Sequence, residues 1–312
     1  MKALITGAAG FIGSTLAERL LAENVDAAGI DSLTDYYDPA LKRTNLRNVG
    51  DGLNLLEGDI NSADLDRLLD GVDVVFHLAG QPGVRKSWGR DFDTYIAANI
   101  QATQRLLEAA RSADSRPRIV FASSSSIYGD AEAYPTDERT APRPRSPYGV
   151  TKLAAENLCR LYSANYGLET VSLRFFTVYG PRQRPDMAFT RFLRAADRGE
   201  PITIYGSGEQ VRDFTFVGDI VDALFRSAQA EVRPGTVLNI SGGGSHSVNE
   251  VIAMMEQIVD KPIDVVRTDV ALGDVSRTTA DISQARALLN WNPTVSLDEG
   301  LRAQLRWVRT GS

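Results

Sequence analysis

The sequence predicts an α/β fold, in which a doubly wound parallel sheet carries helices on both faces and a smaller C-terminal α/β domain follows. Two observations lead to this class. From Lys2 to Arg118, short β-rich runs alternate with longer amphipathic runs, which is the pattern of consecutive βαβ units. After about Val178 the elements become shorter and contain more Gly, Pro and Arg. We therefore divide the chain into residues 1–177 and 178–312, with some of the second segment crossing back to the first.

The individual elements follow from local periodicity. Strands are predicted in KALIT, VDAAGID, LNLLEGD, VDVVFHLA, PRIVFASS and ETVSLRFF, because each is a short β-rich run. Helices are predicted between them in FIGSTLAERLLAE, ADLDRLLD, TYIAANIQATQRLLEAAR and PYGVTKLAAENLCRLYSANYG, where the pattern is amphipathic. The C-terminal part is predicted to supply GPRQRPDMAFTRFLRAADRGE, PITIYGSGEQ, VGDIVDALFRSAQ, TVLNIS, SVNEVIAMMEQIVD, IDVVR and two terminal helices, the second ending in LRAQLRWVRT.

Composition and charge exclude several classes of protein. The 34 Lys and Arg residues stand against 40 Asp and Glu residues, for a net charge of −6 without long runs of one sign, so nucleic acid is not expected as a partner. No segment approaches the roughly 18 apolar residues of a membrane span, and the N-terminus lacks a signal-peptide pattern. We therefore expect a cytoplasmic protein without a membrane partner. The single Cys159 excludes an intramolecular disulfide and a cysteine-based metal site, and no metal is expected.

A glycine-rich stretch, TGAAGFIG, joins the first predicted strand to the first predicted helix. Gly7, Gly10 and Gly13 have GxxGxxG spacing at the point where glycines let a backbone approach a pyrophosphate and a helix N-terminus favours its charge. Asp31 ends the second strand, where a carboxylate accepts hydrogen bonds from an adenosine ribose and repels a 2′-phosphate. This arrangement is typical of a Rossmann-type sheet and favours NAD over NADP. The alternative interpretation is that the glycines only form a tight turn and that Asp31 is a solvated side chain without a ligand.

Two further stretches carry candidate chemistry. FASSSSIYG ends the fifth strand, and Ser124, Ser125 and Ser126 are expected at the carboxyl edge of the sheet, where ligands bind. In SPYGVTK, Tyr148 and Lys152 are spaced i,i+4 and therefore share one helix face. A phenol has a pKa of about 10 and becomes a base at neutral pH only beside positive charge, which a lysine and an oxidised nicotinamide supply. The alternative is an ordinary surface pair.

These motifs together resemble the extended short-chain dehydrogenases/reductases. The resemblance rests on TGAAGFIG, Asp31, HLAG at His77–Gly80, SSSSIYG and the Tyr148–Lys152 pair, and it covers essentially the whole chain. It implies that Tyr148 is the general base, that Lys152 lowers the pKa of Tyr148 and holds the nicotinamide ribose, and that Ser124 orients the substrate hydroxyl. It also implies a tightly bound NAD, held by Gly7, Gly10, Phe11, Ile12, Gly13, Asp31, Asp59, Ile60, Leu78, Ala79, Gly80, Asn99, Ser123, Tyr148, Lys152, Phe175 and Val178.

The C-terminal half resembles the nucleotide-sugar branch of that family, through LRFFTVYGPRQRP, ITIYGSGEQVRDFTFVGDI and LLNWNP. The resemblance implies that Arg212 and Arg191 contact a nucleotide diphosphate and that Tyr205 lies at the uracil. Taken singly, each of these arginines is more often a solvated surface charge. The expected substrate residues are Gln81, Ser125, Ser126, Thr177, Arg184, Arg191, Tyr205, Arg212 and Asp274.

Small differences separate the possible reactions. Dehydratases of this branch carry an Asp-Glu pair where Ser125 and Ser126 stand, and decarboxylases usually carry a glutamate where Ser126 stands, so both readings are disfavoured. TDYYDPALK, QPGVRKSW and FTVYGPRQRPDMAF most resemble UDP-glucuronate 4-epimerases. In that resemblance Thr177 and Arg184 hold the C5 carboxylate.

The expected function is NAD-dependent 4-epimerisation of a UDP-sugar through a 4-keto intermediate, with UDP-glucuronate and UDP-galacturonate as the favoured pair. The alternatives are a UDP-glucose or UDP-N-acetylglucosamine 4-epimerase, a UDP-glucuronate decarboxylase and a non-catalytic NAD-binding regulator. Family likeness also implies a homodimer, formed through the helices within Asp91–Arg111 and Tyr148–Gly167.

Overall fold

The computed structural model describes residues 1–270 and 273–311. The strands in these residues are β1 (Lys2–Thr6), β2 (Asp26–Asp31), β3 (Asn54–Glu57), β4 (Val74–His77), β5 (Arg118–Ser124), β6 (Thr170–Phe175), β7 (Val178–Tyr179), β8 (Ile202–Tyr205), β9 (Val211–Asp213), β10 (Thr215–Phe216), β11 (Thr236–Ile240), β12 (Ser245–Ser247), β13 (Val265–Thr268) and β14 (Arg277–Thr278).

The helices alternate with the strands in the first half of the chain and lie between shorter strands in the second. They are α1 (Phe11–Ala22), α2 (Pro39–Val49), α3 (Leu65–Leu68), α4 (Phe92–Tyr95), α5 (Ala102–Ser112), α6 (Pro147–Tyr166), α7 (Ala188–Arg198), α8 (Val217–Gln229), α9 (Val248–Val259), α10 (Ser283–Leu289) and α11 (Leu297–Thr310). A π-helical segment, Ile96–Gln101, joins α4 to α5, and 3₁₀ turns occur at Arg85–Ser87, Gly89–Asp91 and Ser125–Ile127.

Within the described residues, seven strands form one sheet in the order β11-β6-β5-β4-β1-β2-β3. All neighbours in this sheet are parallel. The strand order reverses between β1 and β4, and connections that leave the two strands towards opposite faces open a crevice at their carboxyl ends. The doubly wound parallel sheet predicted from the sequence is therefore confirmed, and the glycine-rich stretch after β1 lies beside this crevice.

Apolar helix faces cover both sides of the central sheet. On one side α1 and α8 pack on the strands through buried residues that include Leu16, Leu20, Ile220 and Leu224. On the other side α5 and α6 do so through residues that include Leu106, Leu107, Ala155 and Cys159. Burial of each large aliphatic side chain contributes roughly 1.5–3 kcal/mol, so the two faces together hold the strand ends in place.

The C-terminal half builds a third core and also contributes to the first sheet. Phe189, Phe192, Met255 and Leu301 belong to a cluster in which α7, α9 and α11 pack together near β8. TVLNIS, expected in the smaller domain, forms β11 and pairs with β6 of the central sheet. The division of the chain at residue 177 stays a prediction about domains.

The described residues contain neither a candidate membrane-spanning helix nor a candidate metal-binding cluster. None of the helices in residues 1–270 and 273–311 combines the length and apolarity that crossing a bilayer requires. The same residues contain no group of three or more His, Cys, Asp or Glu side chains placed to share a metal ion.

His77, at the end of β4, ties the sheet to the helix that follows the crevice. The hydroxyl of Thr103 donates to the carbonyl of Asn99 (2.7 Å), so its oxygen accepts the N–H of His77 Nε2 (2.9 Å). His77 Nδ1 is then the acceptor for the Thr6 hydroxyl (2.8 Å), which in turn accepts the Ala79 N–H (3.1 Å). Burial, with a further effect of the Lys152 charge, lowers the pKa of His77 to about 3.

Because His77 stays neutral in the folded protein while its unfolded pKa is about 6.5, folding stability should be lost as the pH falls from 6.5 towards 3. Between pH 7 and pH 5 this single group should lower the free energy of unfolding by about 2 kcal/mol. Urea titrations at both pH values test this for the wild-type protein and a His77→Gln variant, which shares every other titrating group. An equal pH dependence in the two proteins would contradict the assignment.

Candidate active site

A cleft of about 590 Å³ opens at the carboxyl edge of the central sheet, at the switch point between β1 and β4. Most of the residues singled out in the sequence come together there. Those lining the cleft are Gly7, Gly10, Phe11, Ile12, Gly13, Asp31, Asp59, Ile60, Leu78, Ala79, Gly80, Gln81, Ser123, Ser124, Ser125, Ser126, Tyr148, Lys152, Phe175, Thr177, Val178 and Arg184.

Asn99 is buried behind the cleft lining. Its side-chain oxygen accepts the Gln81 N–H (2.7 Å), and its amide donates to the Gln81 carbonyl (3.1 Å) and to Thr151 Oγ1 (2.9 Å). Asn99 therefore fixes the backbone of the loop after β4 and joins it to α6. The arrangement supports the cleft wall, in addition to the cofactor contact expected from the resemblance.

The glycine turn makes a cradle that side chains would fill. Gly7 has a φ of +72°, and a Cβ there would lie 2.9 Å from the backbone nitrogen of Ala79. A Cβ on Gly13 would lie 2.1 Å from the carbonyl oxygen of Gly7. The turn thus brings the first turn of α1 close to β1 and leaves its N–H groups facing the cleft, where a pyrophosphate fits.

Asp31 is held in place by the fold around it. Its Oδ2 accepts the Ala9 N–H (3.0 Å) and its Oδ1 accepts the Leu33 N–H (2.8 Å). Lys42 Nζ lies 3.6 Å from Oδ1 and also donates to Thr34 Oγ1 (3.2 Å). The lone pairs that remain on a fixed carboxylate suit ribose hydroxyls, so the glycine cradle and Asp31 together fit a dinucleotide.

Tyr148 enters the cleft from the first turn of α6. Ser146 caps this helix by accepting the Gly149 N–H (3.1 Å), and a Cβ on Gly149 would lie 2.6 Å from the Ser126 carbonyl oxygen. The helix therefore contacts the serine segment directly. Ser124 Oγ accepts the Ser126 N–H (3.1 Å). The hydroxyl proton of Ser124 is therefore free to be donated to the Tyr148 oxygen.

The charges around Tyr148 decide whether it acts as a base. Burial raises the pKa of Tyr148, while the hydrogen bond from Ser124 and the positive charge of Arg184 oppose this rise. Burial lowers the pKa of Lys152 to about 8, and the neighbouring Cys159 and Glu156 act in the opposite direction. Sequence reasoning placed Arg184 at a substrate carboxylate, whereas the structure also brings its charge to Tyr148.

A buried ion pair fastens α6 to the sheet. Glu156 accepts from Arg174 at both oxygens, with Arg174 Nη2 at 2.6 Å from Oε1 and Arg174 Nε at 3.0 Å from Oε2. Ser123, next to Ser124, donates to Oε2 as well (2.6 Å). Arg174 also donates to the Tyr128 hydroxyl (2.6 Å), which donates to Asn239 on β11 (2.7 Å). The network joins α6, β5, β6 and β11.

Three other predicted substrate residues meet in a second cluster, outside the lining of the cleft. Arg85, which the sequence analysis did not single out, stacks over Tyr205 at 3.9 Å from the ring centroid and pairs with Asp274 at 3.3 Å. Burial lowers the pKa of Arg212, while the charge of Asp274 opposes this, so the Arg212 guanidinium is near the same acid. Arg191 is exposed on α7.

The sequence did not show which side chains form ion pairs with the predicted site residues Asp31, Asp274 and Arg184. Lys42 and Arg85 lie in TDYYDPALK and QPGVRKSW, which supported the resemblance, but their positions depend on how α2 and the loop after β4 fold back. Asp186, which binds Arg184 through two hydrogen bonds of 2.9 Å, lies two residues further along the chain. The sequence did offer one signal for this pair, namely an arginine and an aspartate two residues apart in a predicted loop.

Comparisons with known proteins agree with this geometry. Residues 3–241 match the model of the NAD dependent epimerase/dehydratase family. The chain is 45% identical over 311 residues to the "uncharacterized UDP-glucose epimerase YtcB" of Bacillus subtilis (strain 168), covering 99% of this chain and 98% of that protein. It is 37% identical over 314 residues to the UDP-glucuronate 4-epimerase of Thermodesulfobacterium geofontis (strain OPF15), covering 98% and 95% of the two chains.

A solved structure gives the same result in three dimensions. The UDP-glucuronic acid 4-epimerase of Bacillus cereus, crystallised in complex with UDP-glucuronic acid and NAD, is 41% identical and superposes with a TM-score of 0.95 over 100% of both chains. A match over most of the chain, in sequence and in fold, establishes descent from a common ancestor. The protein therefore belongs to the NAD dependent epimerase/dehydratase family.

Proposed function

We propose that the protein is an NAD-dependent UDP-sugar 4-epimerase and that UDP-glucuronate, converted to UDP-galacturonate, is its preferred substrate. The observation that carries this proposal is the position of Arg184, which lines the same cleft as Ser124 and Tyr148. A cation close to the base suits a sugar whose C5 substituent is a carboxylate. The names of the Thermodesulfobacterium and Bacillus cereus proteins support the same substrate.

In this proposal Tyr148 takes the proton of the C4 hydroxyl, and Ser124 orients that hydroxyl by hydrogen bonding. Burial by itself raises the pKa of Tyr148, and we propose that Arg184 and Lys152, together with the positive charge of an oxidised nicotinamide, counteract this rise when the cofactor is bound. Gly7–Gly13 and Asp31 would hold an NAD, which would supply oxidation at C4 and then reduction of the 4-keto sugar. Rotation of that sugar about its phosphate linkage before reduction inverts C4.

Retention of the carboxylate is a separate requirement. A 4-keto uronate is a β-keto acid and loses CO₂ when the carboxylate bond aligns with the carbonyl π system. We propose that Thr177 and Arg184, with Ser125 and Ser126, hold the carboxylate out of this alignment. Serines at positions 125 and 126 also leave the site without the extra acid that favours dehydration, and the serine at position 126, where decarboxylases usually carry a glutamate, counts against a decarboxylase, which stays an alternative.

The second cluster is proposed to hold the nucleotide. Arg212 and Arg191 are expected to contact the diphosphate and Tyr205 the uracil, with Asp274 as a further substrate contact. Residues 1–177 would then mainly bind NAD and residues 178–312 mainly bind the UDP-sugar, apart from the parts of the second segment that return to the central sheet. A cytoplasmic location is proposed because UDP-sugars and NAD are available there.

A homodimer is proposed through the helices within Asp91–Arg111 and Tyr148–Gly167. Four large apolar side chains are exposed along these two segments, namely Ile96, Val150, Leu161 and Tyr166. A monomer would leave them in water, whereas a symmetric contact between two copies would bury them.

Incubation of the purified protein with UDP-glucuronate or with UDP-glucose, without added cofactor, tests the function. Proton NMR should show UDP-galacturonate from the first and little, slower conversion of the second. Activity without added NAD is expected because the cofactor is regenerated at each turnover and stays bound. Release of UDP-pentose and CO₂ would instead identify a decarboxylase. An unchanged spectrum with both sugars calls for the same experiment with UDP-N-acetylglucosamine, whose conversion would identify the other epimerase and whose persistence would favour the non-catalytic regulator.

The charge of Lys152 should set the alkaline limit of activity. Because its pKa is lowered to about 8, the charge is present below this pH and lost above it, so kcat should fall as the pH rises through 8. A Lys152→Met variant should lose at least about 100-fold in kcat. Lys152→Arg, which keeps its charge, should be more active than Lys152→Met and should lack the decline near pH 8. A decline that persists in the arginine variant would assign it to another group.

The proposed dimer predicts twice the chain mass of 34.0 kDa in sedimentation velocity experiments. Leu161→Arg should shift the protein towards monomer, because it puts a charge into the apolar contact. Leu288→Arg, at an exposed leucine on α10, is the matched control and should leave the dimer intact. A wild-type protein that sediments as a monomer at micromolar concentration would refute the dimer.

A further inference from the structure

Arg184 already has a carboxylate partner within its own loop. Its Nε and Nη2 donate to the two oxygens of Asp186, each at 2.9 Å, and a turn in which the Met187 N–H donates to the Arg184 carbonyl (3.1 Å) brings the two side chains together. The exposed fractions of the two side chains are 18% for Arg184 and 35% for Asp186. Arg184 lines the cleft, whereas Asp186 is outside the lining and exposed to solvent.

Two neighbours complete a charge cluster around this pair. The Tyr36 phenol lies against both partners, with the Arg184 guanidinium carbon 5.6 Å from its ring centroid. Lys86 Nζ is 4.6 Å from the same ring. Burial alone would raise the pKa of Asp186, but the hydrogen bonds and charge of Arg184, with a smaller effect of Lys86, leave this pKa lowered. Asp186 is therefore ionised at neutral pH and offsets the Arg184 charge.

The pair uses only part of the guanidinium. Two of its five N–H donors bind Asp186, and the others remain for a ligand or for Tyr36. A sugar carboxylate that binds them is attracted by Arg184 and repelled by Asp186. A neutral hexose, which brings only a hydroxymethyl group, would cover a cation that already has its counter-ion. Without Asp186 the same hexose would cover an unpaired cation, which is unfavourable.

We propose that Asp186 is a specificity-determining residue, an internal counter-ion of Arg184 that weakens the preference for acidic sugars and lets the site accept a neutral UDP-hexose. This inference rests on the proposed function. It also gives a physical reason why one site would serve both UDP-glucuronate and UDP-glucose, the two sugars named for its relatives.

Equilibrium binding in a Tyr148→Phe background, where turnover is blocked, tests the role of Asp186. The dissociation constants of UDP-glucuronate, UDP-glucose and UDP are measured by titration calorimetry with and without Asp186→Asn. The asparagine keeps the size of the side chain and removes its charge. We expect UDP-glucuronate to bind about tenfold more tightly in the variant, the effect of about one charge-assisted hydrogen bond. We expect UDP-glucose to bind several-fold more weakly and UDP to be unchanged.

Matched variants separate the possible failures. In the same background, Arg184→Met should make the dissociation constants of UDP-glucuronate and UDP-glucose similar. Adding Asp186→Asn to Arg184→Met should then change neither constant. If Asp186→Asn weakens UDP-glucuronate and leaves UDP-glucose unchanged, Asp186 merely orients Arg184 and the counter-ion proposal is wrong. If none of the three ligands binds the Tyr148→Phe protein, the proposed function itself fails. If Asp186→Asn does not fold, Asp186→Ser replaces it. This variant also removes the charge, so the same changes in the three dissociation constants are expected.

Discussion

The buried ion pair of Glu156 and Arg174 is the constraint on which the candidate site depends. The exposed fractions of the two side chains are 0% and 3%, so either charge without the other would be buried and unpaired, at a cost of about 3–5 kcal/mol. Glu156 lies one helical turn beyond Lys152 and two beyond Tyr148. Its bonds to Arg174 and Ser123 therefore set the position of α6 along β5 and β6 and bring Tyr148 to Ser124. Glycine at position 149 permits this close approach.

Two cations of the cleft are paired before any ligand arrives. Lys42 has Asp31 as its partner, and Arg184 has Asp186. A cleft that takes anionic ligands needs positive charge, but unpaired cations in a partly buried cavity lose hydration without compensation. The two carboxylates provide that compensation. In the proposed function, Arg184 would link substrate preference to the basicity of Tyr148, because its charge acts on the phenol and would attract a sugar carboxylate.

Much of the fold and of the site was predictable because it depends on short-range patterns. Alternating β-rich and amphipathic runs specify βαβ units, and the handedness of those units leads to a doubly wound sheet. The carboxyl ends of its strands share one edge, so a glycine turn after β1, an acid after β2 and serines after β5 had to lie near one another. The i,i+4 spacing placed Tyr148 and Lys152 on one helix face.

The sequence by itself determined these local elements and the residue types at the sheet edge. The tertiary structure decided which distant segments meet: β11 beside β6, Lys42 beside Asp31, Arg85 over Tyr205, and Asn99 behind the loop it supports. It also decided that Asp186 folds back on Arg184, although the two are near neighbours in the chain. The physical reason is that periodicity records the conformation and exposure of each segment, whereas the pairing of charges depends on loop paths that many side chains fix together.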